Sequence, residues 1–386
     1  MILTYRYRLL PTKRQHKALC EILETQRILY NAALEERIDA WQKERKSISY
    51  NGQCKSVTEW RRSDPDSALI PANLQRWTLR RLDDTFGAFF RRMRTRKGKA
   101  GFPRFRSRGR WRSFGFAEFS GIKLEGRRLR FKGMPGGLRI HLHRELPVDI
   151  RSCAITRDHK GWVIGFQCRM EASEKRCVRT TIAIDLGLSV FSYASDGVVV
   201  PTPRIAHRAK NDLRRRQRAL ARCERGSNRR KKIKQQVTRL HAKIVNARST
   251  WLHQQSAALL NRADLVVAED LQVTNLIKNP YLASSIGDAG WAKFLSMVKY
   301  KAERAGARFI AVDPRNTSQS CSGCGEKVPK SLKMRIHSCP HCGLVMDRDH
   351  NASLNILAAV VGRGASNVTR WSERRLGNIS SKETSN

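Results

Sequence analysis

Acidic residues are scarce in this chain. Its 386 residues hold 33 Asp and Glu against 76 Lys and Arg, a formal charge of +43 and a pI near 10.9. Such an excess repels itself in a compact state and is relieved where phosphates are neutralised and their counterions released, so a polyanion is the expected partner. Long apolar runs are also missing: no stretch approaches the roughly 18 consecutive apolar residues of a membrane helix, and no membrane partner is expected. No signal peptide opens the chain, whose start, MILTYRYRLL, reads as a strand, and a cytoplasmic protein is expected. Ten cysteines in such a chain are expected to be reduced thiols. Six of them, Cys20, Cys54, Cys153, Cys168, Cys177 and Cys223, are scattered and read as small buried apolar residues. With 40% hydrophobic residues, 13 Phe and 8 Trp, the chain can bury real cores, and its length suits two or three modules, some of them nested.

Residues 2–10 alternate apolar with Thr or Arg and predict a half-buried strand ended by Pro11. Apolar spacing at Leu19, Ile22, Leu23, Leu29 and Ala33 predicts one long helix or a bent pair over 13–45, and a second helical stretch, about 71–94, follows a polar loop. The segment 97–119, KGKAGFPRFRSRGRWRSFGFAEF, interleaves Phe102, Phe105, Trp111, Phe114 and Phe116 with arginines. Flat rings stack on unpaired bases while guanidinium groups hold phosphates, which makes Arg104, Arg106 and Trp111 candidate nucleic-acid contacts. The competing reading is a basic-faced edge strand whose rings belong to the core. Further strands at 129–131, 138–142, 152–156 and 162–168 extend a β-rich module to about residue 172.

At TIAIDL, residues 181–186, the pattern changes to buried strands, with a meander reaching Val200 around the Asp196-Gly197 turn. An arginine-rich helical hairpin over 206–262 follows, broken at Gly226-Ser227-Asn228. Its charge is one-signed rather than paired, so Arg229, Arg230, Lys231 and Lys232 are candidate nucleic-acid contacts, against the alternative of a merely solvated face. An apolar run at 264–268, an amphipathic helix at 291–304 and a strand at 308–312 complete the pattern. A meander followed by βαβ-like units fits an α/β sheet of RNase H type better than a bundle or a sandwich.

Three acids stand at element ends: Asp185 in AIDLG, Glu269 in VVAED and Asp349 in MDRDHNAS. A buried carboxylate without a partner is costly, so acids at strand ends of a basic protein point to bound cations. Two Mg2+ ions held about 4 Å apart by carboxylates activate water and stabilise the leaving oxygen in attack on a phosphodiester. Asp347, Asp270 and Asp313 compete for these roles, and Asp349 is preferred to Asp347. The cysteine pattern is more specific: Cys321-x-x-Cys324, fourteen residues, then Cys339-x-x-Cys342. Two such knuckles place four thiolates tetrahedrally around a structural Zn2+, with His337 and His341 outside the shell; redox pairs are the alternative for a CxxC, against which stand the doubling and the turn-forming CSGCG and CPHCG frames.

The ordered motifs AIDLG (183–187), VAEDL (267–271), NTSQSCSGCG (316–325), CPHCG (339–343) and DRDHNASLNI (347–356) resemble the transposon-encoded TnpB (OrfB) proteins of insertion elements, relatives of the type V CRISPR effector nucleases. The opening YRYRLLPTKRQ and the FPRFR segment are similar to the family less specifically. Ala183 and Ser353 depart from its usual Gly and Ala without removing a catalytic group. The resemblance implies a RuvC-like nuclease domain over 181–361 with a zinc-ribbon insert at 315–346. Before it come a β-rich, WED-like module (1–12 and 97–172) and a helical, REC-like insert (13–96), and a mobile basic tail (362–386) follows. It also implies a guide RNA from the transposon end, target double-stranded DNA, cleavage by Asp185, Glu269 and Asp349, and a place at the prokaryotic nucleoid. A strand-joining transposase and a non-catalytic binder are the alternatives; a binder is expected to lose an acid, and this chain keeps all three.

Overall fold

Alternation over the first ten residues becomes a strand with one buried face: in β1 (Ile2–Leu10) Tyr5, Tyr7 and Leu9 are buried while Thr4 and Arg6 are exposed. The computed structural model describes residues 1–64, 69–95, 100–331 and 334–362. The chain divides into two compact units, Met1–Met170 and Glu171–Asn386. The expected tail lies, from residue 363 on, outside the described residues. Among the described residues no helix is long and apolar enough to cross a membrane.

In the first unit β1 sits centrally in an antiparallel sheet with β2 (Ser113–Phe116), β3 (Ile122–Glu125), β4 (Arg128–Phe131), β5 (Leu138–His141), β6 (Ile150–Asp158) and β7 (Gly161–Arg169), in the order β2-β6-β7-β1-β5-β4-β3. Helix α1 (Lys13–Glu44) is continuous. It starts at a capping box in which Thr12 and Gln15 satisfy each other's backbone N–H groups, and it ends at Arg45 in the left-handed region, φ 52°. Helix α2 (Tyr50–Ser63) stands where a polar loop was expected, followed by α3 (Ala72–Thr95). Its one buried residue, Gln53, donates to the Ala33 carbonyl at 2.7 Å and to Glu36 at 2.6 Å, and accepts from Arg37 at 2.8 Å. Beside it Tyr50, Cys54 and Val57, spaced i, i+4, i+7, pack partly buried on the core, a stripe too short and mixed to stand out in the sequence.

Trp111 corrects the expectation of a base-stacking ring. It is 2% exposed, packs on Tyr30 with centroids 5.0 Å apart, and has the Arg81 guanidinium 4.4 Å over its face. Phe114 and Phe116 are buried as well, Phe114 against Trp162 with centroids 6.4 Å apart and Phe116 against Phe131 at 5.4 Å; on the opposite face of β2 a Cβ at Gly115 would lie 2.8 Å from the Trp77 indole nitrogen. Phe102 and Phe105 remain exposed, as does Arg104, while Arg106 is half-buried, its backbone N–H donating to Asn31 at 2.8 Å. Of the scattered cysteines, Cys153 and Cys168 are buried as expected, but Cys177 is exposed.

The second unit is built on a five-stranded sheet ordered β10-β9-β8-β11-β12. Here β8 (Thr181–Leu186), β9 (Val190–Ala194) and β10 (Val199–Pro201) are antiparallel, and β11 (Leu265–Glu269) runs parallel to both β8 and β12 (Arg308–Val312). The helices are α4 (Ile205–Ala221), α5 (Asn228–Arg262), α6 (Val273–Leu276), α7 (Ala283–Ala289), α8 (Trp291–Ala305) and α9 (Arg348–Val361), with a two-stranded ribbon of β13 (Ile336–Ser338) and β14 (Val345–Asp347). The central strands are apolar on both faces. Ile182, Ile184, Val266 and Ala268 pack with Leu252 and Leu259 of α5 and Phe294 and Val298 of α8. Ala183, Leu265 and Val267 pack with Ile356, Leu357 and Val361 of α9. In the α4–α5 hairpin the Arg230 guanidinium donates to the carbonyls of Leu220 at 2.7 Å and Cys223 at 3.0 Å. It thereby satisfies carbonyls at the end of α4, so Arg230 serves the hairpin itself and corrects its reading as a free phosphate contact; Arg229, Lys231 and Lys232 are exposed.

Trp111→Ala is expected to lower stability by about 3–5 kcal/mol through an unfilled core site. Thermal melting checks this; unchanged melting together with a selective loss of RNA affinity would restore the stacking role.

Candidate active site and metal-ligand cluster

The two-residue period of a strand places the acids. Asp185 shares its face of β8 with Ala183, and Glu269 shares its face of β11 with Leu265 and Val267, which is the face covered by α9. Asp349 lies in the first turn of that helix. Asp347 is the N-cap: its carboxylate accepts from the backbone N–H groups of Asp349 at 2.8 Å and His350 at 3.2 Å. Asp347 is thus occupied in starting the helix, and Asp349 is the acid facing the other two. Asp270 and Asp313 are exposed, and Asp313 accepts from the Arg315 N–H at 3.0 Å in a local turn.

The other two acids bear on the ionisation of Asp185. Burial, and then the negative charges of Glu269 and Asp349, push the Asp185 carboxyl up to about 8, against the pull of Arg348 and a backbone N–H. Burial also raises Glu269, opposed by the Thr317 hydroxyl, which donates to its Oε1. Asp349 has Arg348 Nε at 3.7 Å and Arg335 Nη1 at 3.9 Å. Three carboxylate groups, one of them raised by burial and then by its neighbours, form a hard-oxygen donor set that suits a divalent cation such as Mg2+, whose charge would favour ionisation. Among the described residues these acids meet less tightly than the thiols of the ribbon.

The sulfurs of Cys321, Cys324, Cys339 and Cys342 all lie within 4.8 Å of one another. Cys321 and Cys342 are 3.6 Å apart, as are Cys324 and Cys339. A tetrahedron of Zn–S bonds of about 2.3 Å puts its sulfurs about 3.8 Å apart, whereas a disulfide would need about 2.05 Å. The four thiols therefore fit structural zinc. The two knuckles repeat one geometry: the N–H groups of Gly325 and Gly343 donate to the carbonyls of Cys321 and Cys339 at 2.9 and 3.0 Å, with φ of 88° and 72°, which glycine supplies without strain. His341 is exposed, and His337, though buried, lies outside the cluster.

Residues not singled out from the sequence join ribbon to helix. Asn351 donates to the Ser320 carbonyl at 2.8 Å and accepts from the Ser322 N–H at 2.9 Å, and Asn355 donates to the carbonyls of Thr317 at 2.9 Å and Ser320 at 2.7 Å. Thr317, Asn351 and Asn355 lie inside the quoted motifs, and the signal available was that small polar residues recur there beside the cysteines and the acid. Arg335, just before β13, also donates to Ser189 Oγ at 2.8 Å in the loop after β8.

Two outcomes follow from this geometry. Cys321→Ser or Cys339→Ser should lose a stoichiometric zinc and loosen the start of α9 through the Asn351 and Asn355 bonds, measurable by metal analysis and hydrogen exchange; full zinc content in both variants would refute the shell. In the metal-free protein Asp185 binds its proton more tightly folded than unfolded, so its contribution to stability falls as pH rises from about 4 through about 8. Asp185→Asn should accordingly melt above wild type at about pH 8.5 and converge with it toward about pH 4, and an equal difference at both pH values would refute the raised proton affinity of Asp185.

Comparison with known proteins fits this arrangement. Residues 166–280 match a family model described as "Probable transposase", 291–356 a "Cas12f1-like, TNB domain" model, and 1–46 a "Helix-turn-helix domain" model, although those last residues here form β1 and one continuous helix. A Streptomyces pristinaespiralis protein named "Putative RNA-guided DNA endonuclease" is 32% identical over 371 residues, covering 94% of this chain and 90% of its own. The Escherichia coli (strain K12) protein of the same name with the suffix InsQ is 27% identical over 375 residues, covering 92% and 91%. The solved Cas12f1-sgRNA-target DNA complex aligns with TM-score 0.58 at 14% identity over 89% of this chain and 83% of its own, a likeness of fold. Similarity of this extent to the Streptomyces protein makes the chain a member of the OrfB (TnpB) family of transposon-associated RNA-guided DNA endonucleases.

Proposed function

We propose that this chain is a Mg2+-dependent, RNA-guided DNA endonuclease of a transposable element, whose second unit is an RNase H-type (RuvC) nuclease acting through Asp185, Glu269 and Asp349. The observation that carries the reading is convergence. Acids 84 and 80 positions apart along the chain share one face of the sheet and one helix start, and Glu269 and Asp349 add to the burial that raises Asp185. The sheet order, three antiparallel strands continued by two parallel ones, supports an RNase H-type core. The names of the relatives support an RNA guide and a DNA target.

When bound, Mg2+ supplies activation of water and neutralisation of charge at the scissile phosphate. The chain's own groups do the rest. Asp185 and Glu269 offer carboxylate oxygens from rigid strand ends, the Thr317 hydroxyl orients one Glu269 oxygen, and Arg348 and Arg335 offset the charge of Asp349. The ribbon over 315–346 holds the helix that carries Asp349. In the first unit, the sheet is read as a WED-like module and 13–96 as a REC-like insert. Exposed Arg104, Arg229, Lys231 and Lys232, with half-buried Arg106, are read as contacts to an RNA from the transposon end and to target duplex DNA, at the prokaryotic nucleoid.

The "Probable transposase" description of the matching family model favours one second reading, strand joining by the same acids. Asp185→Ala, Glu269→Ala and Asp349→Ala should each abolish cleavage of guide-matched DNA by the RNA-loaded protein while leaving RNA affinity within about twofold, since none removes a phosphate-binding cation. Asp347→Ala should be milder, costing about the 1 kcal/mol of a lost helix cap. Near wild-type cleavage by any of the three would remove that residue from the site, and a joined-strand product would favour the transposase.

A further inference from the structure

Beside the acids lies an aromatic pair that the proposed chemistry does not use. Tyr193 of β9 is the antiparallel register partner of Asp185. Residues directly opposite across such a pair project to the same face of the sheet, here the face covered by α9. His350, adjacent to Asp349 in the first turn of α9, lies flat on Tyr193, with ring centroids 4.9 Å apart and an interplanar angle of 18°. Both residues are half-buried.

The attachment of α9 explains what this pair does. Its far end is fixed by Ile356, Leu357 and Val361 in the sheet core. Its middle is fixed by Asn351 and Asn355 to the ribbon. Its start is capped by Asp347, but that cap belongs to the same segment and sets the helix's beginning rather than its distance from the sheet. The His350–Tyr193 stack does link the first turn to the sheet, at the strand position opposite Asp185.

We propose that Tyr193 and His350 are positioning residues: their ring stack clamps the start of α9 to β9 and so sets the separation of Asp349 from Asp185 at which the two acids share a cation. The inference rests on the triad reading above. The clamp needs ring faces rather than imidazole nitrogens, which separates it from a role for His350 in carrying a proton.

The test uses the full-length RNA-loaded protein with two readouts: the Mg2+ concentration giving half-maximal cleavage, and the melting-temperature rise produced by Mg2+ alone, without DNA. Tyr193→Ala and His350→Ala should each raise the half-maximal Mg2+ concentration about three- to tenfold, the range expected for losing one aromatic pair. They should also shrink the Mg2+-dependent melting shift while retaining most of the cleavage rate at saturating Mg2+. Tyr193→Phe and His350→Phe should stay within about twofold of wild type, and the double Ala variant should be little worse than either single one, since one interaction is lost once. His350→Phe as defective as His350→Ala would overturn the clamp in favour of the imidazole nitrogens, and unshifted Mg2+ responses in both Ala variants would overturn it outright. Should an Ala variant fail to fold, the two Phe variants still decide. Cleavage that survives Asp349→Ala would instead sink the triad reading, leaving the two failures distinguishable.

Discussion

The second unit depends on a repulsion that it is built to maintain. Burial, and then the negative charges of Glu269 and Asp349, push the Asp185 carboxyl up to about 8. Left alone, such acids would separate or stay protonated, because like charges in a poorly solvated site cost free energy. Here the scaffold prevents separation. Two of the acids end neighbouring parallel strands whose register pairs Leu265 with Thr181 and Ala268 with Ile184, and both faces are packed on helices, so slippage by one residue would turn an acid into the apolar core on the other face. The third acid rides on a helix bound to that sheet. Stability is given up at the acids and regained in the flanking cores.

That helix connects the acid site and the thiol cluster. The loop before the first cysteine knuckle donates Thr317 to Glu269 and presents the Thr317 and Ser320 carbonyls to Asn355 and Asn351. One short segment therefore touches one acid directly and a second through its helix. A zinc shell that orders Cys321 and Cys339 orders this segment too, so in the proposed reading the ribbon acts on catalysis by placement, without touching substrate. Arg335 adds a further link, lying near Asp349 and donating to the loop that follows Asp185.

How much of this was legible in the sequence varies with the kind of signal. Strands apolar on both faces, such as TIAIDL and LVVA, and a doubled CxxC pattern in turn-forming frames read directly, and β12 was placed to the residue. The choice of Asp349 over Asp347 was harder, because both stand at a helix start and only the hydrogen bonds distinguish cap from free acid. Helix α2 was missed because its apolar stripe is short, Tyr50, Cys54 and Val57 alone, and its most buried residue is an amide held by hydrogen bonds. Trp111 misled for a related reason: arginines flanking aromatic rings look the same whether the rings face a base or face inward under a guanidinium.

The same ambiguity governs the arginines, and it bears on how a charge of +43 should be read. Arg81 covers Trp111, Arg230 closes the α4–α5 hairpin, Arg37 spans Gln53 and Asp83, and Arg248 holds Asp288, which also accepts from two backbone N–H groups. A guanidinium carries five donors in a planar fork, so it can satisfy several carbonyls or carboxylates at once, and here it often does so inside the fold. The cations left for phosphates are those such as Arg104, Arg229 and Lys232, whose heads are exposed. The salt sensitivity of binding should therefore follow this exposed subset rather than the formal charge, because only groups that meet phosphates release counterions.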